Sequence, residues 1–202
     1  MGENPSRFQS PDRPVEQVSW EDAQAFMARL NGLIPGLELV LPTEAQWEYA
    51  CRAGSDTALF SGPIEILGQR NAPALDPIAW YGGNSGVDFE LSDGRDSSGW
   101  PAQQSPHPRS GSHPVERKRP NPWGLYDMLG NVWEWCADGL RAYGEPPVVD
   151  PVGPLESGAA RVVRGGSWYG YARHCRCAYR NQFAPDSCND YLGFRCARVQ
   201  AS

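Results

Sequence analysis

Helical periodicity runs out at Gly54, and most of the chain lies beyond it. Two helices are legible before that point. Ser19 precedes Trp20-Glu21-Asp22, an S-x-x-D capping box, and Trp20, Ala23, Phe26, Met27 and Leu30 follow at helical spacing until Gly32 and Pro35. Thr43 opens the second helix, with Gln46 three residues on. There Trp47, Ala50 and Cys51 share a face, and Gly54 stands where a C-terminal cap belongs. Residues 37–41 read as a short strand or extended link. After Gly54 no strand–helix alternation exists, which excludes all-helical and doubly wound folds. Residues 92–112 hold almost no aliphatic side chain and predict an exposed loop. Short strands are expected over 131–136, 161–164 and 192–198. Neither an internal repeat nor a linker is visible, so residues 1–202 read as a single domain.

Composition narrows the function. With 22 Gly and 19 Pro the chain is rich in irregular structure, yet eight Trp require a core to bury them. A formal net charge of −6 argues against a broad nucleic-acid or acidic-membrane surface. No run approaches the ~20 apolar residues of a membrane span. The first residues show no basic and apolar leader, so a cytoplasmic location is expected. Lys118 is the one lysine; arginine, the dominant cation, suits bidentate pairing with an acidic core. The cysteines are Cys51, Cys136, Cys175, Cys177, Cys188 and Cys196, without any C-x-x-C, which reads as mostly buried thiols in a reducing compartment.

Three segments carry a resemblance: Leu41-Pro42-Thr43-Glu44-Ala45-Gln46-Trp47-Glu48-Tyr49-Ala50-Cys51-Arg52, then Gly124-Leu125-Tyr126-Asp127-Met128-Leu129-Gly130-Asn131-Val132-Trp133-Glu134-Trp135, then Arg164-Gly165-Gly166-Ser167-Trp168 with Arg176 to Asn181 and Leu192-Gly193-Phe194-Arg195. Together they resemble the sulfatase-modifying-factor, or formylglycine-generating-enzyme, family. The resemblance implies an α+β fold, a C-type-lectin-like variant with two helices, a small twisted antiparallel sheet and much irregular structure.

It also implies an activity to look for: copper-dependent oxidation of a cysteine in a sulfatase-type substrate to formylglycine. That chemistry needs two cysteines shortly after the Gly-Gly-Ser-aromatic segment, because Cu(I) favours thiolates. Here the interval Tyr169-Gly170-Tyr171-Ala172-Arg173-His174-Cys175 is shorter and holds one cysteine, two residues before Cys177. In an extended strand Cys175 and Cys177 point to one face, so they are the residues an oxidase would use. By resemblance, however, Cys177 matches a cysteine that pairs with the one at Cys51. The same resemblance implies a calcium site at Asp127, Gly130, Val132 and Glu134, a mixture of carboxylate and carbonyl oxygens that suits Ca²⁺. The competing reading is that Asp127 and Glu134 pair with core arginines such as Arg195.

Another branch of the fold serves as a display scaffold in diversity-generating retroelements, whose variable positions are written as asparagine codons in a template. The framework is matched by Gly165 to Trp168, Cys175 to Arg180 and Gly193 to Arg195. The intervening Tyr169, Gly170, Tyr171, His174, Phe183, Ala184, Ser187, Asn189, Asp190 and Tyr191 can each be reached from an AAC codon by changing adenines alone; Gln182 cannot. Tyr, Ser, Gly, Asn and Asp are the vocabulary of adaptable contact surfaces. The expected function is therefore non-catalytic binding of a protein or other surface ligand by residues 169–191, with calcium as the structural cofactor and copper required only by the oxidase alternative.

Overall fold

Both helices form where their caps predict. In the computed structural model, which describes residues 3–144 and 147–198, α1 spans Trp20–Leu33 and α2 spans Glu44–Arg52, with β1 (Leu39–Val40) between them. Ser19 Oγ accepts the Asp22 backbone N–H while the Asp22 carboxylate accepts the Ser19 N–H; Thr43 and Gln46 repeat the exchange. Each box satisfies donors that a helix start otherwise leaves orphaned. Two boundaries differ from expectation. α1 runs through Gly32 to Leu33, since one glycine costs a helix only about 1 kcal/mol. α2 ends on Ala53, which itself takes the left-handed conformation (φ 46°), and Gly54 (φ 91°) continues the turn.

Beyond α2 the chain lays down short strands: β2 (Ala79–Trp80), β3 (Arg95–Asp96), β4 (Arg109–Ser110), β5 (Leu129–Gly130), β6 (Trp133–Trp135), β7 (Arg161–Arg164), β8 (Asn181–Phe183), β9 (Leu192–Gly193) and β10 (Ala197–Arg198). One sheet has the order β8-β7-β6-β9. β7 is antiparallel to β6 (Glu134↔Arg164) and to β8 (Val162↔Gln182), whereas β9 is parallel to β6 (Trp133↔Leu192). The expected antiparallel sheet is thus mixed. β8 and β9 run in the same direction at opposite edges, so residues 184–191 must cross the sheet to join them.

The strand expected over 192–198 divides: β10 leaves the sheet and pairs with β1 (Leu39↔Arg198). Residues 92–112 are largely exposed, as their composition predicted, but not throughout. β3 and β4 pair (Arg95↔Ser110), and Ser97, His107, Ser110 and Ser112 are buried. Ser97 Oγ donates to the His107 carbonyl at 2.9 Å, whereas Ser110 Oγ and Ser112 Oγ are buried without partners.

Tryptophans fill much of the core, and the three that are fully buried find partners for their N–H groups, whereas the buried Trp80 Nε1 has none and Trp123 is exposed. Trp47, Trp135 and Trp168 are fully buried. They donate to Glu134 Oε2 at 2.6 Å, the Val18 carbonyl at 3.0 Å and the Asp190 carbonyl at 2.8 Å. Several arginines pair with acidic residues in the interior. Arg164, with 0% exposure, donates to Glu48 and to the Cys177 and Tyr179 carbonyls; Arg180 forks onto Glu44. Among the described residues no helix is long and apolar enough to cross a membrane.

Candidate functional site

The site begins where β7 ends. Gly165 and Gly166 both take positive φ (96° and 81°), and a Cβ at Gly166 would lie 2.7 Å from Cys175 Sγ, so the turn needs glycine. The chain then passes Ser167 and the buried Trp168, makes a single 3₁₀ turn over Ala172–His174, and enters β8. The crossing loop brings Tyr191 back to Tyr169. Their rings stack with centroids 5.6 Å apart and planes 14° from parallel.

Between these ends lies a cavity of about 200 Å³, lined by Tyr169, Gly170, Tyr171, His174, Phe183 and Tyr191 together with Arg70, Trp133, Ser167 and Asn181. Most of the positions singled out in the sequence therefore converge. Ala184, Ser187, Asn189 and Asp190 do not line it. Ala184 and Ser187 form a turn, closed by the Ser187 N–H on the Ala184 carbonyl at 3.0 Å. The Asn189 carbonyl accepts from Gln17 and Leu192. Asp190 is buried, accepting from Arg95 Nε at 2.7 Å with Arg7 at 3.6 Å; it fastens the crossing loop.

The cavity is electropositive although the chain is acidic. Burial pushes the His174 imidazole down to about 4, and Arg173, Arg176 and Arg70 push the same way. His174 is therefore neutral at pH 7, its Nδ1 accepting the Tyr171 N–H at 3.3 Å. Arg70, Trp133, Ser167 and Asn181 were not anticipated as lining residues. Arg70 comes from a stretch with neither periodicity nor motif. Trp133, Ser167 and Asn181 sit within family segments that mark fold rather than site.

The two cysteines do not share a strand face. Cys175 follows the 3₁₀ turn with φ −87° and ψ 43°, so the alternation rule for strands does not apply to it. Its thiol is fully buried, and burial pushes it up to about 12. Cys177 instead meets Cys51, sulfur to sulfur at 3.6 Å, both as thiols. Contact with Cys51 lowers the Cys177 pKa, while burial raises that of Cys51. Among the described residues no group of three or more His, Cys, Asp or Glu side chains is placed to hold a metal.

The residues expected to bind calcium lie in two environments. Asp127, Val132 and Glu134 line one cavity of about 400 Å³ beside Arg195. Glu134 is already matched: its two oxygens accept from Arg195 Nε and Nη2, each at 2.7 Å. Asp127 is not. Its Oδ2 accepts the Glu116 N–H at 2.9 Å, but Oδ1 is buried without a partner. Such an orphaned oxygen fits a hard cation that also takes backbone carbonyls.

Comparison with known proteins agrees with this architecture. Residues 1–200 match the model of the sulfatase-modifying factor enzyme 1-like domain. The chain is 40% identical over 197 residues to the formylglycine-generating enzyme of Streptomyces coelicolor, covering 93% of this chain and 53% of that protein. It is 34% identical over 190 residues to the inactive C-alpha-formylglycine-generating enzyme 2 of Mus musculus, covering 91% and 48%. The chain thus spans about half the length of these relatives. Among solved structures, Treponema denticola variable protein 1 superposes with a TM-score of 0.70 at 31% identity, covering 97% of this chain and 77% of that one.

Proposed function

This chain belongs to the family of sulfatase-modifying factor enzyme 1-like domains, and from that premise we propose that it is a non-catalytic binding domain whose contact surface is built by residues 169–191. The convergence of Tyr169, Tyr171, His174, Phe183 and Tyr191 on one cavity carries this reading. Aromatic side chains on a rigid frame give large contact area at small entropic cost. The frame is rigid because the crossing loop is held by Trp168 on the Asp190 carbonyl and by Arg95 on the Asp190 carboxylate. The ligand is a surface of another macromolecule, with protein favoured over nucleic acid or membrane by the net charge of −6.

The likeness to a variable protein supports a finer proposal, that the segment is diversified by a retroelement. DNA sequencing beside the gene tests it. A near-copy of the 3′ end, differing only at template adenines and adjoining a reverse transcriptase, is the expected result. No such copy would reduce the proposal to a fixed contact surface.

The oxidase remains the second reading, favoured by the 40% identity to the Streptomyces enzyme. It would use Cys175 and Cys177. Against it stand the buried, high-pKa thiol of Cys175 and the contact of Cys177 with Cys51; a protonated, inaccessible thiol is a poor ligand for copper. We further propose that Asp127, with the carbonyls of Gly130 and Val132, takes a structural Ca²⁺, with Glu134 sharing its charge between the ion and Arg195. In the cytoplasm, the proposed location, Cys51 and Cys177 stay reduced; oxidation would join them.

A further inference from the structure

We propose that the cavity between Tyr169 and Tyr191 contains a fixed carboxylate subsite, in which Arg70 and Ser167 receive one acidic side chain of a protein partner. This rests on the binding reading above and names the chemistry its surface takes.

Arg70 is 5% exposed. Its guanidinium carbon sits 4.6 Å from the Trp100 ring centroid and 4.7 Å from that of Tyr171. The two rings hold the cation but cannot replace the in-plane acceptors that its N–H groups require. Arg70 Nε is buried and unpartnered. Among the described residues, Arg70 takes part in none of the ion pairs. Burial lowers its pKa, opposed by the Tyr171 and Tyr169 phenols, of which the Tyr171 hydroxyl also offers it a hydrogen bond but no negative charge. A second orphan belongs to another residue that lines the cavity: Ser167 Oγ, in a residue 1% exposed, has no partner either. Two unsatisfied donors in residues that line one cavity ask for an anionic acceptor.

The surroundings agree. Arg173 and Arg176 add positive field, and the neutral His174 adds no counter-charge. At about 200 Å³ the space is smaller than the ~300–1,000 Å³ typical of small-molecule sites, so it suits a single side chain. Trp133 and Phe183 would contact the methylene stem, and Arg70 and Ser167 the head. Arg70 lies outside residues 169–191, and Ser167 belongs to the Gly165–Trp168 framework rather than to the positions singled out as variable. The site therefore divides into a constant anchor and a changeable rim.

The test uses the full chain and follows tryptophan indole NMR resonances. N-acetyl-glutamate amide is titrated against N-acetyl-glutamine amide and inorganic phosphate. The glutamate derivative should shift the Trp100 and Trp133 resonances saturably, and the glutamine derivative should bind at least about tenfold more weakly. Arg70→Gln should remove that preference. It should also fold, because a buried unpaired cation is a cost to the native state. Ser167→Ala, a smaller change, should weaken the glutamate derivative several-fold and serves if Arg70→Gln does not fold. Equal binding of the two amides, undiminished binding by a folded Arg70→Gln, or tighter binding of phosphate than of the glutamate derivative would overturn the subsite. A protein ligand selected on residues 169–191 that binds a chain indifferent to the glutamate derivative overturns the subsite alone. Failure of both overturns the surface reading as well.

Discussion

Tyr169 and Tyr191 stack face to face at 5.6 Å, closing the two ends of the displayed segment on each other. Tyr169 precedes the 3₁₀ turn and Tyr191 precedes β9, so the contact ties both to one wall of the cavity. A double-mutant cycle on Tyr169→Ala and Tyr191→Ala, read by denaturant unfolding, should give a coupling of about 0.5–1.5 kcal/mol. No coupling would mean that the rings are positioned independently.

Glu134 accepts from Arg195 twice and from Trp47 once. Glu134→Ala leaves the Arg195 guanidinium without its carboxylate, with the Tyr126 carbonyl as its remaining acceptor, and the Trp47 indole N–H without one. It should lower stability by about 2 kcal/mol or more. Glu65→Ala, at an exposed position, should stay within about 0.5 kcal/mol. Urea titration of both variants checks the contrast.

Asp127 Oδ1 is the buried oxygen without a partner. Calcium should raise the melting temperature of the native chain, by an amount equivalent to about 2.7 kcal/mol at a hundredfold excess over Kd. Asp127→Asn should abolish the rise. A calcium-insensitive native melting temperature counts against the site.

Glu16 gives a pH dependence. It is 0% exposed; burial, with the nearby Asp190 charge adding, pushes its carboxyl up to about 7, against the Phe8 N–H that donates to Oε1 at 2.8 Å. In the unfolded chain it titrates near the ordinary glutamate value of 4.5. The folded state therefore holds the proton more tightly than the unfolded state does. Its stabilising contribution is complete below about pH 4.5, is lost progressively through about pH 7, and is then absent; the loss is about 3 kcal/mol. Glu16→Gln should flatten that part of the stability–pH curve, measured by chemical denaturation across the range. An unchanged slope would assign the dependence elsewhere.

The parts of this molecule legible in sequence are those with local chemistry. Ser19–Asp22 and Thr43–Gln46 announce two helices because capping is a short-range exchange of hydrogen bonds. The family segments announce β6, β7 and the glycine turn at Gly165 and Gly166. What escaped was burial without apolar pattern, as at Ser97, Ser110 and Ser112, and contact at long separation. Arg70 reaches the cavity only because Trp100 and Tyr171 close around it, a relation that no spacing in the sequence encodes. Asp190 illustrates the opposite error: its position in the segment suggested display, yet two arginines draw it inside. The cysteine geometry failed for a related reason, since a single 3₁₀ turn before Cys175 removes the alternation that would align it with Cys177.

The central claim is that residues 169–191 bind rather than catalyse. The direct measurement incubates the purified chain with Cu(I), oxygen, a reductant and a cysteine-containing peptide, and follows the peptide by mass spectrometry. The peptide should return unconverted, and Cys175→Ser should behave as the native chain does. Copper-dependent formation of formylglycine, abolished by Cys175→Ser, would contradict the account and establish the oxidase.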